Sequence, residues 1–367
     1  MSAKSSIQWT DATWSPLRAR VKENAAEIAR AKGYTSLVQL AGKMAGHVGP
    51  HCEHVSDGCN NCYSESNNSR CLPSNGTGLP FDRRSRDLVD IFLDGNILEQ
   101  PLHWRAPRKI FVNSQTDTFG EFVPDELIDR MFAVMALCPQ HTFQVLTKRA
   151  ARMREYFGDL AYRQEVIGIR AEYASGFDRF RSDTGSDALD ARWPLPLRNV
   201  WLGVSVEDDR QNHRIEDLRQ TPAAKRFASY EPALGPVDFS PWLSPCTYYC
   251  DHDEFGGGHR PSPGLDWVIV GGESGRNARR FDIAWAYRVI EQCKAADVAC
   301  FVKQLGAWPT EERNGIEFVP LSLKDGHGGD MTEWPEDLRV REFPIMHPQT
   351  PARSRVTANS RSAIPSA

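Results

Sequence analysis

Long apolar runs are missing from this 367-residue chain: no stretch approaches the ~20 residues that a membrane-spanning helix needs. The N-terminal Met-Ser-Ala-Lys-Ser-Ser-Ile-Gln-Trp also lacks the apolar centre of a secretion signal, so a cytosolic protein with no membrane partner is expected. Charge of one sign is not in excess. The formal net charge is −4, which leaves no global basic field, so any nucleic acid must be met by a local basic patch or as a nucleotide. There is no internal repeat, and the nine cysteines carry no disulfide framework that a reducing compartment would allow. Hydrophobic residues make up 40% and charged residues 25%, which is ample apolar material for a globular core.

What is present is a rhythm. After Trp104, short β-rich runs alternate with helical patterns. The strands expected are Lys109–Asn113, Thr142–Leu146, Asn199–Val204, Lys225–Ser229, Asp266–Val270 and Ala299–Val302, most of them nearly continuous apolar runs of the kind buried on both faces. Helices are expected over Asp125–Leu137, started by Pro124, and over Ala150–Tyr156, Asp209–Arg219 and Ile283–Ala296. This alternation predicts an α/β fold with a parallel sheet, either a partial barrel or a flat doubly wound sheet.

Residues 1–104 read as an N-terminal region with a helical insertion at about 17–50 and a cysteine loop at 51–63. Residues 105–310 are the core, interrupted by insertions at about 158–198 and 240–264. A C-terminal extension follows over 311–346, and 347–367, rich in Ser, Pro, Ala and Arg, reads as a disordered tail.

In parallel α/β folds, functional groups gather at the carboxyl ends of the strands. Here almost every such end is polar: Asn113 to Asp117, Thr147-Lys148-Arg149, Ser205 to Asp208, Ser229-Tyr230-Glu231, Gly271 to Gly275, and Lys303-Gln304. A single polar tail is ordinary turn or N-cap chemistry. A full ring of them points to a polar pocket. The basic runs Arg83-Arg84 with Arg86, Arg105 to Lys109, and Arg276 to Arg280 suit either phosphates or solvated surface.

Able to close over that ring is the segment His51-Cys52-Glu-His54-Val-Ser-Asp-Gly-Cys59-Asn-Asn-Cys62-Tyr63. Three thiolates in a C-x₆-C-x₂-C spacing can hold a metal and leave one coordination position open. With His51, His54 or Cys71 as a fourth ligand the same loop would hold structural zinc, and spacing alone does not separate zinc from an iron–sulfur cluster. Cys246 and Cys250, with Asp251, His252 and His259, form a weaker metal candidate in a Gly/Pro-rich loop. Cys138, Cys293 and Cys300 read as core residues.

The strings IQWTDATWSP (7–16), the three-cysteine motif, FVNSQTD (111–117), FQVLTKR (143–149), NVWLGVSVED (199–208), SYEPALGP (229–236), DWVIVGGESG (266–275) and FVKQLG (301–306) resemble the phage Gp37/Gp68 family, over most of residues 7–308. More distantly the chain is similar to spore photoproduct lyase. The resemblance implies a partial (β/α)₆ barrel of the radical S-adenosylmethionine (SAM) type, in host cytoplasm if phage-encoded. Cys52, Cys59 and Cys62 would bind a [4Fe–4S] cluster and SAM would complete it. Ser114, Lys148 and Ser205 would contact SAM. Asp117, Glu207, Glu231 and Glu273 are candidate polar contacts to SAM or substrate, and Tyr63 would lie near the adenine. The partners implied are an external electron donor and a nucleic-acid or nucleotide substrate, such as a modified thymine in phage DNA. The other function considered is a zinc-stabilised nucleic-acid-binding protein without catalysis. The sequence departs from the family pattern where residues 17–51 separate Trp14-Ser-Pro16 from the first cysteine.

Overall fold

The computed structural model of the chain describes residues 5, 7–70, 75–174, 194–245, 262–313 and 317–345. Seven strands form the main sheet: β1 (Ala12–Trp14), β2 (Lys109–Val112), β3 (Thr142–Thr147), β4 (Val200–Ser205), β5 (Lys225–Tyr230), β6 (Trp267–Gly271) and β7 (Ala299–Gln304). Every neighbouring pair is parallel, and the strands lie side by side in chain order. A doubly wound sheet reverses its order at a switch point. This one never does, so its crossovers stay on one face and the sheet curls into a half-barrel.

The two faces have different contents, because side chains alternate along each strand. Outward-facing residues such as Val145, Val204, Ala228, Val268 and Val302 pack under the helices α1 (Asp125–Leu137), α2 (Ala150–Tyr156), α3 (Leu160–Ala174), α4 (His213–Gln220) and α5 (Ile283–Ala295) in the main core. Cys138, Cys293 and Cys300 are buried in this core, as expected. Inward-facing Trp201, Phe227, Trp267, Ile269 and Phe301 form a second core with Trp9. Trp267 is its hub, with the rings of Trp9, Trp201, Phe227 and Phe301 at centroid distances of 6.1, 5.9, 5.7 and 6.0 Å. Gly203 makes room for this: a Cβ there would lie 2.3 Å from the Phe227 ring. The C-terminal extension closes the same end, with Phe343 at 5.3 Å from both Trp267 and Phe301 and the Trp267 Nε1–H donating to the Glu342 carbonyl at 2.9 Å.

Three expectations need correction. β1 is a strand within a region read as loop-like; it pairs Ala12 with Ile110 and adds a seventh strand to the expected six. The insertion at 17–50 is not all helix. Leu17–Val21 is a strand between Val48–Gly49 and Val89–Leu93, and only then come helices Ala25–Ala31 and Thr35–Lys43, around a small core of Val21, Ala29, Leu37, Ala41, Leu88 and Val89. The segment 158–198, read as insertion or loop, contains α3, whose Arg163 pairs with Asp129 at 3.2 Å and also with Asp125 on α1. Within the C-terminal extension Pro309–Arg313 and Glu317–Pro320 form a hairpin beside Phe281–Asp282. Cys71, Cys246, Cys250, Asp251, His252, His259 and the tail from 347 lie outside the described residues, as does most of the 240–264 loop. No described helix is long and apolar enough to cross a membrane.

Candidate functional site

The cysteine loop lies across the carboxyl ends of the half-barrel, tied down at four strands. At β2, Ser64 Oγ donates to the Gln115 carbonyl at 2.6 Å, Tyr63 Oη donates to the Ser114 carbonyl, and Thr116 Oγ1 donates to the His51 carbonyl. At β3, Arg149 Nη2 donates to the Glu53 carbonyl at 3.1 Å. At β4, Ser56 Oγ donates to Glu207 Oε1 at 2.9 Å, and Asp57 pairs with Arg210 at 2.7 Å. At β6, Asn61 Nδ2 donates to Glu273 Oε2 at 2.9 Å and to the Asn277 carbonyl at 2.8 Å, while Arg279 Nη1 donates to the Asp57 carbonyl at 2.9 Å. Locally the loop makes a 3₁₀ turn over Asp57–Cys59, and Cys62 then stands at the N-cap of helix Tyr63–Ser69. Gly58 sits at the closest approach, where a Cβ would come within 2.4 Å of Glu207 Oε1.

Cys59 is the buried centre of this loop; Cys52 and Cys62 are partly exposed. A charge on Cys59 is felt at Cys52, Cys62, Lys148, Arg214 and Arg279, so the three thiols share one surrounding of cations. Burial pushes the Cys52 thiol up to about 12, and the nearby Asp117 acts in the same direction. Burial also raises Cys62. The Lys148 ammonium is lowered to about 8 by burial, against the pull of Cys59. The protein without metal therefore holds neutral thiols at Cys52 and Cys62, and a bound metal must displace their protons. Among the described residues, no three His, Cys, Asp or Glu side chains gather closely enough to grip a single ion. His54 pairs with Glu65 at 2.7 Å, and buried His51 packs on Phe122 at 4.7 Å with its Nε2 3.9 Å from Glu53.

The strand-end residues divide into those committed to the protein and those left facing the barrel. Asp117 accepts from Thr147 Oγ1 (2.6 Å), the Lys148 amide (3.0 Å) and Arg149 Nη1 (3.3 Å), which locks β2 to β3. Glu207, 1% exposed, pairs with Lys148, with Arg214 at 3.0 Å, and with Ser56. Glu273 is gripped by Arg279 at 2.7 Å and by Asn61; burial works to raise its carboxyl, but these partners outweigh it and hold it below the usual range. So Glu207 and Glu273, expected at a ligand, are used to dock the loop. Ser205 is buried, and its carbonyl accepts from Arg214 at 2.8 Å. Ser114 Oγ is 3.4 Å from Ser15 Oγ. Tyr63 remains 54% exposed. Glu231 pairs with Lys303 at 2.9 Å and accepts from Ser229 at 3.2 Å. Of the residues that anchor the loop, Ser56, Asn61, Arg210 and Arg214 carried no sequence signal beyond being polar, and Arg279 stood only within the basic run Arg276 to Arg280. Of the basic runs, Arg86 is committed to Glu53 by two bonds of 2.6 and 2.7 Å, Arg84 to Asp82 at 2.6 Å, and Arg280 lies 3.5 Å over the Phe318 ring.

The family described as "Protein of unknown function (DUF5131)" matches residues 46–357, and the chain belongs to it. No curated protein and no solved structure matches the chain.

Proposed function

We propose that this DUF5131 member is a radical SAM enzyme whose cluster is held by Cys52, Cys59 and Cys62. The observation that carries the reading is the docking of a three-thiol loop across the polar carboxyl ends of a curled parallel sheet. The resemblance to the phage Gp37/Gp68 family supports it independently. The donor set fits a [4Fe–4S] cluster: the soft thiolates of Cys52, Cys59 and Cys62 would ligate three of its irons and leave one iron free for SAM. Bound there, a cluster would supply the single electron for reductive cleavage of SAM, and with it the capacity to abstract hydrogen from a substrate.

The chain's own residues bind, orient and exclude water. Lys148, held by Glu207, has its ammonium beside the thiols, where it suits the carboxylate of SAM. Ser114 and Ser205 offer hydroxyls for the remaining polar groups. The aromatic end of the half-barrel, filled by Trp9, Phe227, Trp267 and Phe301, keeps water from reaching the site from below. An external donor supplies the electron, and the substrate is a nucleobase or nucleotide, such as a modified thymine.

Anaerobic purification followed by iron–sulfide reconstitution tests the reading. The expected result is a brown protein with about four irons per chain that releases 5′-deoxyadenosine from SAM under reduction, and an activity lost in Cys52→Ala, Cys59→Ala and Cys62→Ala. A colourless protein holding one tight zinc after reconstitution would instead favour the zinc-stabilised nucleic-acid-binding reading, and 5′-deoxyadenosine release surviving in any of the three variants would remove that cysteine from the ligand set.

A further inference from the structure

Four strand-end carboxylates face the site, and three of them are saturated: Asp117 locks β2 to β3, while Glu207 and Glu273 hold the cysteine loop. Glu231 differs. Its contacts are Lys303 and Ser229, and its buried Oε1, although 2.9 Å from the Lys303 ammonium, has no partner in hydrogen-bond alignment. The pair is unusual in its construction. Glu231 follows β5 and Lys303 lies on β7, so β6 runs between them. They meet because β6 ends in Gly271, where a Cβ would lie 2.7 Å from Glu231 Oε1. One level down, Ser229, Ile269 and Phe301 stand in register, with Phe227 and Trp267 below, so the ion pair rests on an apolar floor. Its side chains are 12% and 21% exposed.

We infer that Glu231 and Lys303, brought together over Gly271, form a substrate-recognition pair that reads the hydrogen-bonding edge of a nucleobase. A carboxylate and an ammonium side by side present one acceptor and one donor a few ångströms apart. The matching ligand group carries an N–H next to a carbonyl, as the imide edge of thymine or uracil does: N3–H donates to Glu231 and O4 accepts from Lys303. A ligand with net charge of either sign meets repulsion from one partner, whereas a neutral imide keeps both charges compensated. In a site so little exposed, a ligand lacking the N–H leaves a buried carboxylate without its hydrogen bond, which is how polar sites reject close analogues. The inference rests on the nucleobase reading above and gives it a contact.

The test is calorimetric titration of the full chain, both metal-free and iron–sulfide reconstituted with SAM present, using thymidine and 3-methylthymidine as probes. Thymidine should bind saturably, and methylation at N3 should weaken binding at least tenfold. The Glu231→Ala/Lys303→Ala double variant should lose that discrimination, and so should Glu231→Met alone, which keeps the stem of the side chain and removes the acceptor for N3–H. Lys225→Met breaks an ion pair with Asp266 at the opposite end of β5 and should keep the discrimination. Equal binding of the two nucleosides, no thymidine binding in either form, or a tenfold preference surviving in both dyad variants would overturn the inference. The outcomes separate from those of the cluster: a zinc protein that rejects 3-methylthymidine sinks the radical reading and keeps this one, and a SAM-cleaving protein blind to N3 methylation does the reverse.

Discussion

Replacing Glu207 by Gln should release the cysteine loop from the barrel while leaving the barrel folded. Glu207 is 1% exposed and is the one acceptor shared by Lys148, Arg214 and Ser56. The amide is isosteric, so the change removes charge and not volume. It leaves two cations facing a neutral group. Lys148 has a side chain one-fifth exposed and can turn towards water; Arg214, at 3%, cannot. Breaking a buried pair by removing one partner costs about 3–5 kcal/mol, and the partial escape of Lys148 argues for the lower end. A penalty of about 3 kcal/mol corresponds to roughly a hundredfold change in an opening equilibrium. Hydrogen exchange of the metal-free chain reads this directly. Amides over 52–62 should exchange about a hundredfold faster in Glu207→Gln, while those of β4 and β5 should speed up little or not at all relative to wild type. High salt should not restore the loop, because a buried pair is barely screened. Exchange over 52–62 within threefold of wild type would refute the assignment of Glu207 as the latch, and Gly58→Ala, which drives a methyl group to within 2.4 Å of the same carboxylate, should reproduce the loosening by a separate route.

Gly203→Ala should lower stability by about 1–3 kcal/mol through overpacking, since its Cβ would meet the Phe227 ring at 2.3 Å; adding Phe227→Leu should recover part of the loss in thermal denaturation. Asp125 joins α1 to Arg152 and Arg163. Burial works to raise its carboxyl, but hydrogen bonds from the two guanidinium groups outweigh that and hold it below its ordinary 3.8. Its contribution is therefore present above about pH 4 and is lost as pH falls through the lowered value, so Asp125→Asn should flatten the acid limb of a melting-temperature profile; an unchanged limb would count against the clasp. Cys138→Ser and Cys293→Ser, both in the main core, should cost stability without lowering iron content, whereas Cys59→Ser should lower iron content.

The sheet was largely legible because its strands are short apolar runs separated by well-marked helices. α1 was readable end to end, since Pro124 sets its start and its apolar spacing runs to Leu137. β1 was not, because three residues carry no periodicity and Ala12–Trp14 becomes a strand only by pairing with residues about a hundred positions later. α3 was obscured by the Gly-, Ser- and Pro-containing sequence that follows it and by Gly168 within it. In the site, the ring of polar strand ends was visible, but the division of labour among them was not. Which acids hold the loop depends on Ser56 meeting Glu207 and Asn61 meeting Glu273, contacts spanning 151 and 212 residues, and no local pattern carries that information.

The interior of the half-barrel grades from aromatic to charged. Along its axis, side chains pass from Trp9 and Trp201, through Phe227 and Trp267 and then Ser205, Ser229, Ile269 and Phe301, to Glu231 and Lys303. A parallel strand buried on both faces has no intrinsic need for charge at its end, and the carboxylate–ammonium pair over Gly271 costs desolvation that an apolar pair would avoid. The loop is docked without it, through Glu207 and Glu273. If Glu231 and Lys303 served only stability, replacing both with Leu and Met should lower the melting temperature and should leave nucleoside binding as it was. If they serve recognition, the same double variant should melt no lower than wild type and yet lose its preference for thymidine over 3-methylthymidine. The two roles thus give opposite answers in one protein, with thermal denaturation reporting the first and titration the second.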